Sequence, residues 1–491
     1  MSGCSTTVDC VFYAAVVLLA AAGAGCVGTH GAGAGLEAKG APPRSQVRQI
    51  ALASRGATEI VRSLTDEVGP RPAGSAGHQA AVEWALRTLR QRGFSNVRAE
   101  PVTVPHWERG EESAVVLSPV SQRLQLTALG GSMGTPPGGL NAEVIEVESL
   151  EAVDKLGKAA VAGKIVYYNV PTARARDGSG YGKAVAVRAA GAQRAAALGA
   201  VGVVIRSIGT DHNRLPHTGM MRREPNELTV PAAALSIPDA ELLHRLLEAH
   251  KSVALHLYLG CRWLPDVESA NVIGEIPGAL RPDEIILLGA HLDSWDLGTG
   301  ALDDGAGVGI VVHAAQLIGS LPQRPQRTIR VVLFANEEHG LSGGRAYALA
   351  HRAESAKHIA ALEADAGTEG GYALRFLGGA ETRGRLAEIA ADLQPMGIDF
   401  VGDDAHGGAD LGPLRALGVP MVDIAQDATT YFDYHHTAND TFDKINPEGL
   451  AQVTAAFAVI AEGIANLNGD LGRVPEEKRE GNRRGPLRMS F

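Results

Sequence analysis

Residues 287–307 read LLGAHLDSWDLGTGALDDGAG, placing one histidine and four aspartates among glycines directly behind an apolar run. A solvated loop would account for the charges. It would not account for their position after EIILLGA, which reads as a buried strand entering a glycine-rich turn. Comparable residues recur downstream. His291 and Asp293 follow that strand, Asp303 and Asp304 stand ahead of a glycine-rich helix start, Glu337 and Glu338 follow RVVLFAN, and Asp365 follows HIAALEA. His435 and His436 lie in the loop YFDYHHTANDTFD. Carboxylates held close together raise one another's pKa unless a cation compensates. Histidines mixed with carboxylates suit zinc or a similar borderline ion better than magnesium or calcium, which prefer all-oxygen shells. A single zinc is satisfied by three or four ligands. Five such ligand candidates therefore predict two ions sharing one carboxylate, with Asp303 the natural bridge. Any one of these acids taken singly reads as an ordinary helix cap; their order as a set argues for metal.

The elements that would position these residues follow from periodicity. From about Ser45, QVRQIALASRGATEIVRSLTDEVG and GHQAAVEWALRTLRQRG carry apolar residues at helical spacing, separated by the loop GPRPAGS. Residues 115–264 change texture to short strands such as GKIVYYNV, VGVVIRS and VALHLYL around one alanine-rich helix, and read as an inserted domain. Residues 265–470 alternate strand and helix, which predicts an α/β domain with a mostly parallel central sheet, where sites lie at the carboxyl ends of strands. Residues 471–491 are polar, rich in charge and expected to be disordered.

The composition narrows the function further. A chain of 491 residues can bury a large core, and its net charge of -10 offers no basic face for phosphates, so nucleic acid is an unsuitable partner. Cys4, Cys10, Cys26 and Cys261 imply no disulfide framework. Residues 1–44 hold the apolar segment VFYAAVVLLAAAGAGC, of signal-peptide length, followed by a glycine-rich tether. Export to the periplasm or the extracellular space is the expectation. The run into Cys26 is similar to a bacterial lipoprotein signal, and a lipid there would be the one membrane contact.

The order His-x-Asp, ALDDGAG, a Glu-Glu pair, a lone Asp and HHTANDT resembles the co-catalytic di-zinc exopeptidases related to bacterial leucyl aminopeptidases. HLDSWDLGTGALDDGAG, NEEHGLSGG, EADAGT, YHHTANDT and PHTG are similar to motifs of the carboxypeptidase Q subgroup, and the resemblance covers residues 45–467. It implies a zinc-exopeptidase domain of phosphorylase/hydrolase-like fold, with residues 115–264 as a protease-associated domain that walls the substrate cleft. It also implies one zinc on His291 with Glu338 or its partner set, another on Asp365 and His436, and Asp303 between them. Which terminal ligands share an ion stays open. Glu337 matches the general base, and Asp293 the acid that orients the His291 imidazole. The loop AHGGADLGPLRALG is similar to the substrate-side loop, where His406 could touch the oxyanion or substrate and Asp410 could receive an ammonium group. Relatives often dimerise, though no interface is legible in one sequence.

The chemistry holds without the family. Two ions roughly 3.5 to 4 Å apart can activate a shared water and stabilise an oxyanion. Of two neighbouring glutamates, one can bind metal while the other moves the proton. Asp293 can accept the second imidazole N–H and fix the tautomer. The resemblance, which places the ligand directly before Thr437, implies that His435 is structural; His217 reads as a satisfied loop histidine, and Asp296, Asp304, His339, Arg345 and Cys261 receive no catalytic role. The expected activity is hydrolysis of short peptides by a dipeptidase or carboxypeptidase. The alternatives are an aminopeptidase of the same fold, and a non-catalytic receptor or scaffold, which would lack part of the ligand set or the base.

Overall fold

The computed structural model describes residues 44–222 and 228–479. The export segment and Cys26 lie outside the described residues, as does the end of the chain from residue 480.

The helical N-terminal stretch forms two helices, Arg44–Ala53 and Gly56–Glu67, broken at Ser54. The second buries Ile60, Val61 and Leu64 on one face, the stripe expected at helical spacing. Ser75 starts the next helix, Ala76–Gln91, by accepting a hydrogen bond from the His78 N–H.

These helices cover one face of an eight-stranded sheet. In spatial order its strands are Ser95–Glu108, Arg262–Ile276, Arg327–Phe334, Arg281–His291, His358–Glu363, Met421–Gln426, Gly371–Leu377 and Asp399–Gly402. Arg327–Phe334 is buried at every residue, as befits a strand covered on both faces. Helices Ala306–Gly319 and Pro447–Asn466 pack on the same side as the N-terminal helices. Ser342–Ala350 and Gly412–Ala416 cover the other side.

The expected mostly parallel sheet needs correcting to a mixed one. Its centre is parallel, from Arg327–Phe334 through Arg281–His291 and His358–Glu363 to Met421–Gln426. Both flanks contain antiparallel pairs. On one flank the reason is geometric. The chain leaves the sheet at Glu108 and returns at its partner Arg262, and strands bracketing such an excursion must run in opposite directions.

That excursion forms a second eight-stranded sheet, beginning at Glu112 and ending at Leu259. Its parallel core is Leu140–Val147, Ile165–Tyr168, Gly202–Arg206 and Ala232–Leu235. Helices Leu150–Val161 and Ser179–Ala197 pack on one side and Ile237–Ala249 on the other.

The C-terminal segment also departs from expectation. Residues 471–479 are packed, not disordered, because Leu471 and Val474 are buried and Arg479 donates to the Val474 carbonyl.

Candidate metal centre

The parallel centre of the first sheet brings the distant acids together. His291 is the last residue of its strand and pairs in register with Phe334, just before Glu337 and Glu338, while Gly289 pairs with Glu363, just before Asp365. Three carboxyl ends therefore share one edge, as open α/β sheets dictate. Asp303 and Asp304 occupy a single turn of π-helix, Ala301–Gly305, ahead of helix Ala306–Gly319, and their peptide bond is cis.

Asp303 lies at the middle of the cluster. Its Oδ1 is 3.1 Å from His291 Nε2, and its Oδ2 is 3.2 Å from His436 Nε2. His291 Nε2 is also 3.7 Å from Asp365 Oδ1, and His436 Nε2 is 3.2 Å from Glu338 Oε2. The structure thus brings the other four candidate ligands together about the Asp303 carboxylate. His435, expected to be structural, lies closer than that role requires. Its Nε2 is 3.5 Å from Asp303 Oδ2, and its ring stacks on His436 at 3.5 Å between centroids.

These side chains fit zinc. Asp303 Oδ2 and Glu338 Oε1 are buried with no aligned hydrogen-bond partner among the described residues, and such atoms are costly unless an ion takes them. Burial, with Asp303 nearby, pushes Glu338 up to about 6. Burial and the adjacent Glu338 and Asp365 charges hold Glu337 well above its usual range, although His291 opposes them. Burial would lower His436, yet Glu338 and Asp303 drive it up to about 9. Burial likewise opposes the His291 imidazole, yet the nearby acids push it well above its usual range, and the nitrogens that His291 and His436 turn toward Asp303 are atoms that zinc accepts as ligands.

Several supporting residues escaped sequence reasoning. Asp440 accepts the Leu302 N–H at 2.6 Å and the Asp303 N–H at 3.2 Å, fixing the turn that aims the central carboxylate. Asp304 does similar work, accepting the His291 and Gly307 N–H groups. Trp295 donates its indole N–H to Glu338 Oε2 at 2.5 Å. Arg71, from the GPRPAGS loop, donates to the carbonyls of Leu292, Thr299 and Gly300, bracing the glycine-rich turn. For Trp295 a signal existed, since a buried indole N–H needs an acceptor.

Asp293 differs in detail from expectation. Its carboxylate is 3.8 Å from His291 Nδ1, which faces the Asp293 carbonyl at 3.1 Å. Its oxygens instead accept the N–H groups of Glu337 and Glu338. One side chain therefore ties the histidine strand end to both glutamates. His217 is a satisfied histidine, held by the His435 carbonyl and Asp211. Asp296 pairs with Arg109.

A cavity of about 420 Å³ opens beside the cluster, lined by Asp303, Glu337, Glu338, Asp365 and His436. His406 also lines it, with its backbone N–H held by Asp423. Asp410 does not, which corrects the expectation that it receives a substrate ammonium group. It is 1% exposed and accepts the Gly344 N–H instead; burial pushes its carboxyl up to about 8, despite the opposing His291. Glu363 is the acid that faces the cavity from beneath this loop, holding the Asp410 and Leu411 N–H groups.

With this geometry in place, comparison with known proteins is informative. Residues 271–461 match the model of Peptidase family M28. Carboxypeptidase Q of Mus musculus is 38% identical over 410 residues, covering 84% of this chain and 86% of that protein. The chain belongs to peptidase family M28. A solved M28 peptidase precursor from Shewanella amazonensis SB2B superposes with a TM-score of 0.86 at 47% identity, over 88% of this chain and 98% of that one. BSAP, a zinc aminopeptidase from Bacillus subtilis, shares the fold with a TM-score of 0.61 at 18% identity, over 85% and 98% of the two chains. The protein is a zinc metallopeptidase of the M28 family, and its substrates are peptides.

Proposed function

We propose that this M28 peptidase is an exported exopeptidase that hydrolyses short peptides as a dipeptidase or carboxypeptidase, using two zinc ions bridged by Asp303. The observation that carries the reading is Asp303, whose two oxygens face two different histidines, His291 and His436. Glu338 and Asp365 complete the ligand set. Bound there, two zinc ions would lower the pKa of a shared water and polarise a peptide carbonyl.

Glu337 lines the cavity beside Glu338. It takes the proton of the attacking water and delivers it to the leaving amine. Asp293 holds both glutamate N–H groups, so it keeps the base and its neighbour in fixed register with the His291 strand end. His406 faces the same cavity and contacts substrate or the developing oxyanion. Residues 115–264 act as a protease-associated domain walling the cleft. Residues 1–44 direct export, and Cys26 carries a lipid, which mass spectrometry of the mature N-terminus tests.

The deciding experiment is Glu337→Gln. It should retain two zinc ions per chain while kcat falls by about 100-fold or more. Loss of zinc would reassign Glu337 as a ligand, and undiminished turnover would remove it as the base. Substrate class follows from Ser-Met compared with its N-acetyl and C-amide forms. Cleavage lost on blocking either end supports a dipeptidase, whereas tolerance of the amide points to an aminopeptidase.

A further inference from the structure

The two histidines of the metal centre are aimed by different parts of the molecule. Each turns Nε2 toward Asp303. Each uses Nδ1 to reach a backbone carbonyl, a contact that fixes the ring and tautomer of a metal-binding histidine. For His291 the carbonyl is local, that of Asp293 two residues on, at 3.1 Å. For His436 it is that of Thr218, at 3.3 Å, which lies in the excursion between Glu108 and Arg262.

His436 needs more than that one contact. Its φ is +62°, in the left-handed region that a residue with a Cβ occupies only where its surroundings hold it. The peptide groups before and after it are held by consecutive residues of the excursion. Thr218 donates its N–H to the His436 carbonyl at 3.0 Å. His217 turns Nδ1 to the His435 carbonyl at 2.8 Å, and because a carbonyl only accepts, this nitrogen carries the proton. Peptide groups are planar, so fixing the two that flank His436 fixes its φ and ψ.

His217 is itself built in. It is 1% exposed, and its Nε2 is 2.7 Å from Asp211 Oδ1. Its backbone N–H is held by Ser207 Oγ at 2.8 Å, just past strand Gly202–Arg206 of the second sheet. Gly209 leaves room for the ring, since a Cβ there would collide with it. The Thr218 hydroxyl donates to the Ala128 carbonyl at 2.8 Å, which ties the same segment to strand Leu126–Ala128.

We infer that His217, held by Asp211, is a positioning residue for the metal ligand His436, so that the second sheet sets the aim of one zinc and not of the other. This rests on His436 as a ligand in the two-zinc reading above and deepens it. Displacing the second sheet from the first then loosens His436, while His291 stays fixed by its own strand end.

The test reads zinc affinity, apart from turnover, by chelator competition on the full chain. An Asn amide nitrogen falls near the place of Nδ1, and a Gln amide nitrogen near that of Nε2. His217→Gln therefore keeps a partner for Asp211 and drops the bond to the His435 carbonyl, whereas His217→Asn keeps that bond. His217→Gln should weaken one zinc by about 10- to 100-fold and leave the other unchanged. His217→Asn should hold both near the parent's affinity. Added to His436→Ala, His217→Gln should cause no further loss, because it acts through the residue already removed. Tyr167→Phe deletes a buried hydrogen bond to the Ala240 carbonyl within the second sheet's own core and should leave both ions in place. Unchanged affinities in His217→Gln, equal weakening of both ions, equal weakening by Gln and Asn, a further loss on the His436→Ala background, or a matching loss in Tyr167→Phe would each overturn the assignment. A parent that binds a single zinc would sink the two-ion reading. That zinc, weakened by His217→Gln and kept by His217→Asn, would still support the positioning role, and unmoved by either it would overturn it.

Discussion

At the residue scale, the ligand cluster depends on side chains that do not themselves face the ion sites. Trp295 illustrates this, because its indole N–H fixes one oxygen of Glu338 and leaves the other unpartnered. Trp295→Phe removes that donor while keeping most of the ring's volume. The expected result is a loss of zinc affinity of about 10- to 100-fold, read by chelator competition, with the far-UV spectrum unchanged. Unaltered zinc retention would show that Glu338 is oriented by something else. The candidate ligands His291, Asp303, Glu338, Asp365 and His436 could be picked out in the sequence because each sits in a short recognisable run. Asp440 could not, since the Leu302 and Asp303 N–H groups it accepts lie far away in the chain and nothing local marks the pairing.

At the element scale, strand His358–Glu363 links stability to the site. Its carboxyl end leads to Asp365, and its start is anchored by His358. There Nδ1 faces the Glu354 carbonyl at 3.2 Å, and Nε2 faces the Tyr347 hydroxyl at 2.9 Å. Burial lowers the His358 pKa to about 4, so the folded protein keeps this ring neutral. An unfolded histidine takes its proton near 6.5. The stabilising contribution is therefore full above about 6.5 and is lost as pH falls toward about 4. It amounts to about 3 kcal/mol across that window. His358→Gln should lose less stability than the parent between pH 7 and pH 4.5, measured by denaturant midpoints. Parallel pH profiles would refute the assignment. The strands themselves could be read from the apolar runs, but the antiparallel flanks could not. Direction depends on where the chain leaves and re-enters the sheet, and that is not a property of any one segment.

For the whole molecule, crowded acids make folding and metal binding one problem. Without metal, burial pushes Asp440 up to about 7, with Asp303 adding to the shift, and Glu338 up to about 6. Acids whose folded pKa is raised stabilise the fold below their unfolded values and cost stability as pH rises through the folded ones. Chelated protein should therefore melt at a higher temperature at pH 6 than at pH 8. Zinc should raise the melting temperature most at pH 8, with a gain of about 4 kcal/mol per site at 1,000-fold excess over Kd. Scanning calorimetry at both pH values checks this. A chelated protein equally stable at both would mean the acids are compensated by groups within the chain.

By itself the sequence determined the chemistry available. The histidine and carboxylate types select a borderline metal, their order matches an exopeptidase, and the apolar periodicity places them at strand ends. These are local properties, carried by residue type and by spacing within one segment. Tertiary structure decided everything that depends on two distant segments meeting. It turned both oxygens of Asp303 toward different histidines, buried Asp410 away from the cavity, and gave the Asp293 carboxylate to the glutamate backbone. It also carried the Thr218 carbonyl from the excursion to His436 Nδ1. Burial and long-range contact set the energy of each of these groups, and neither is written in the local sequence.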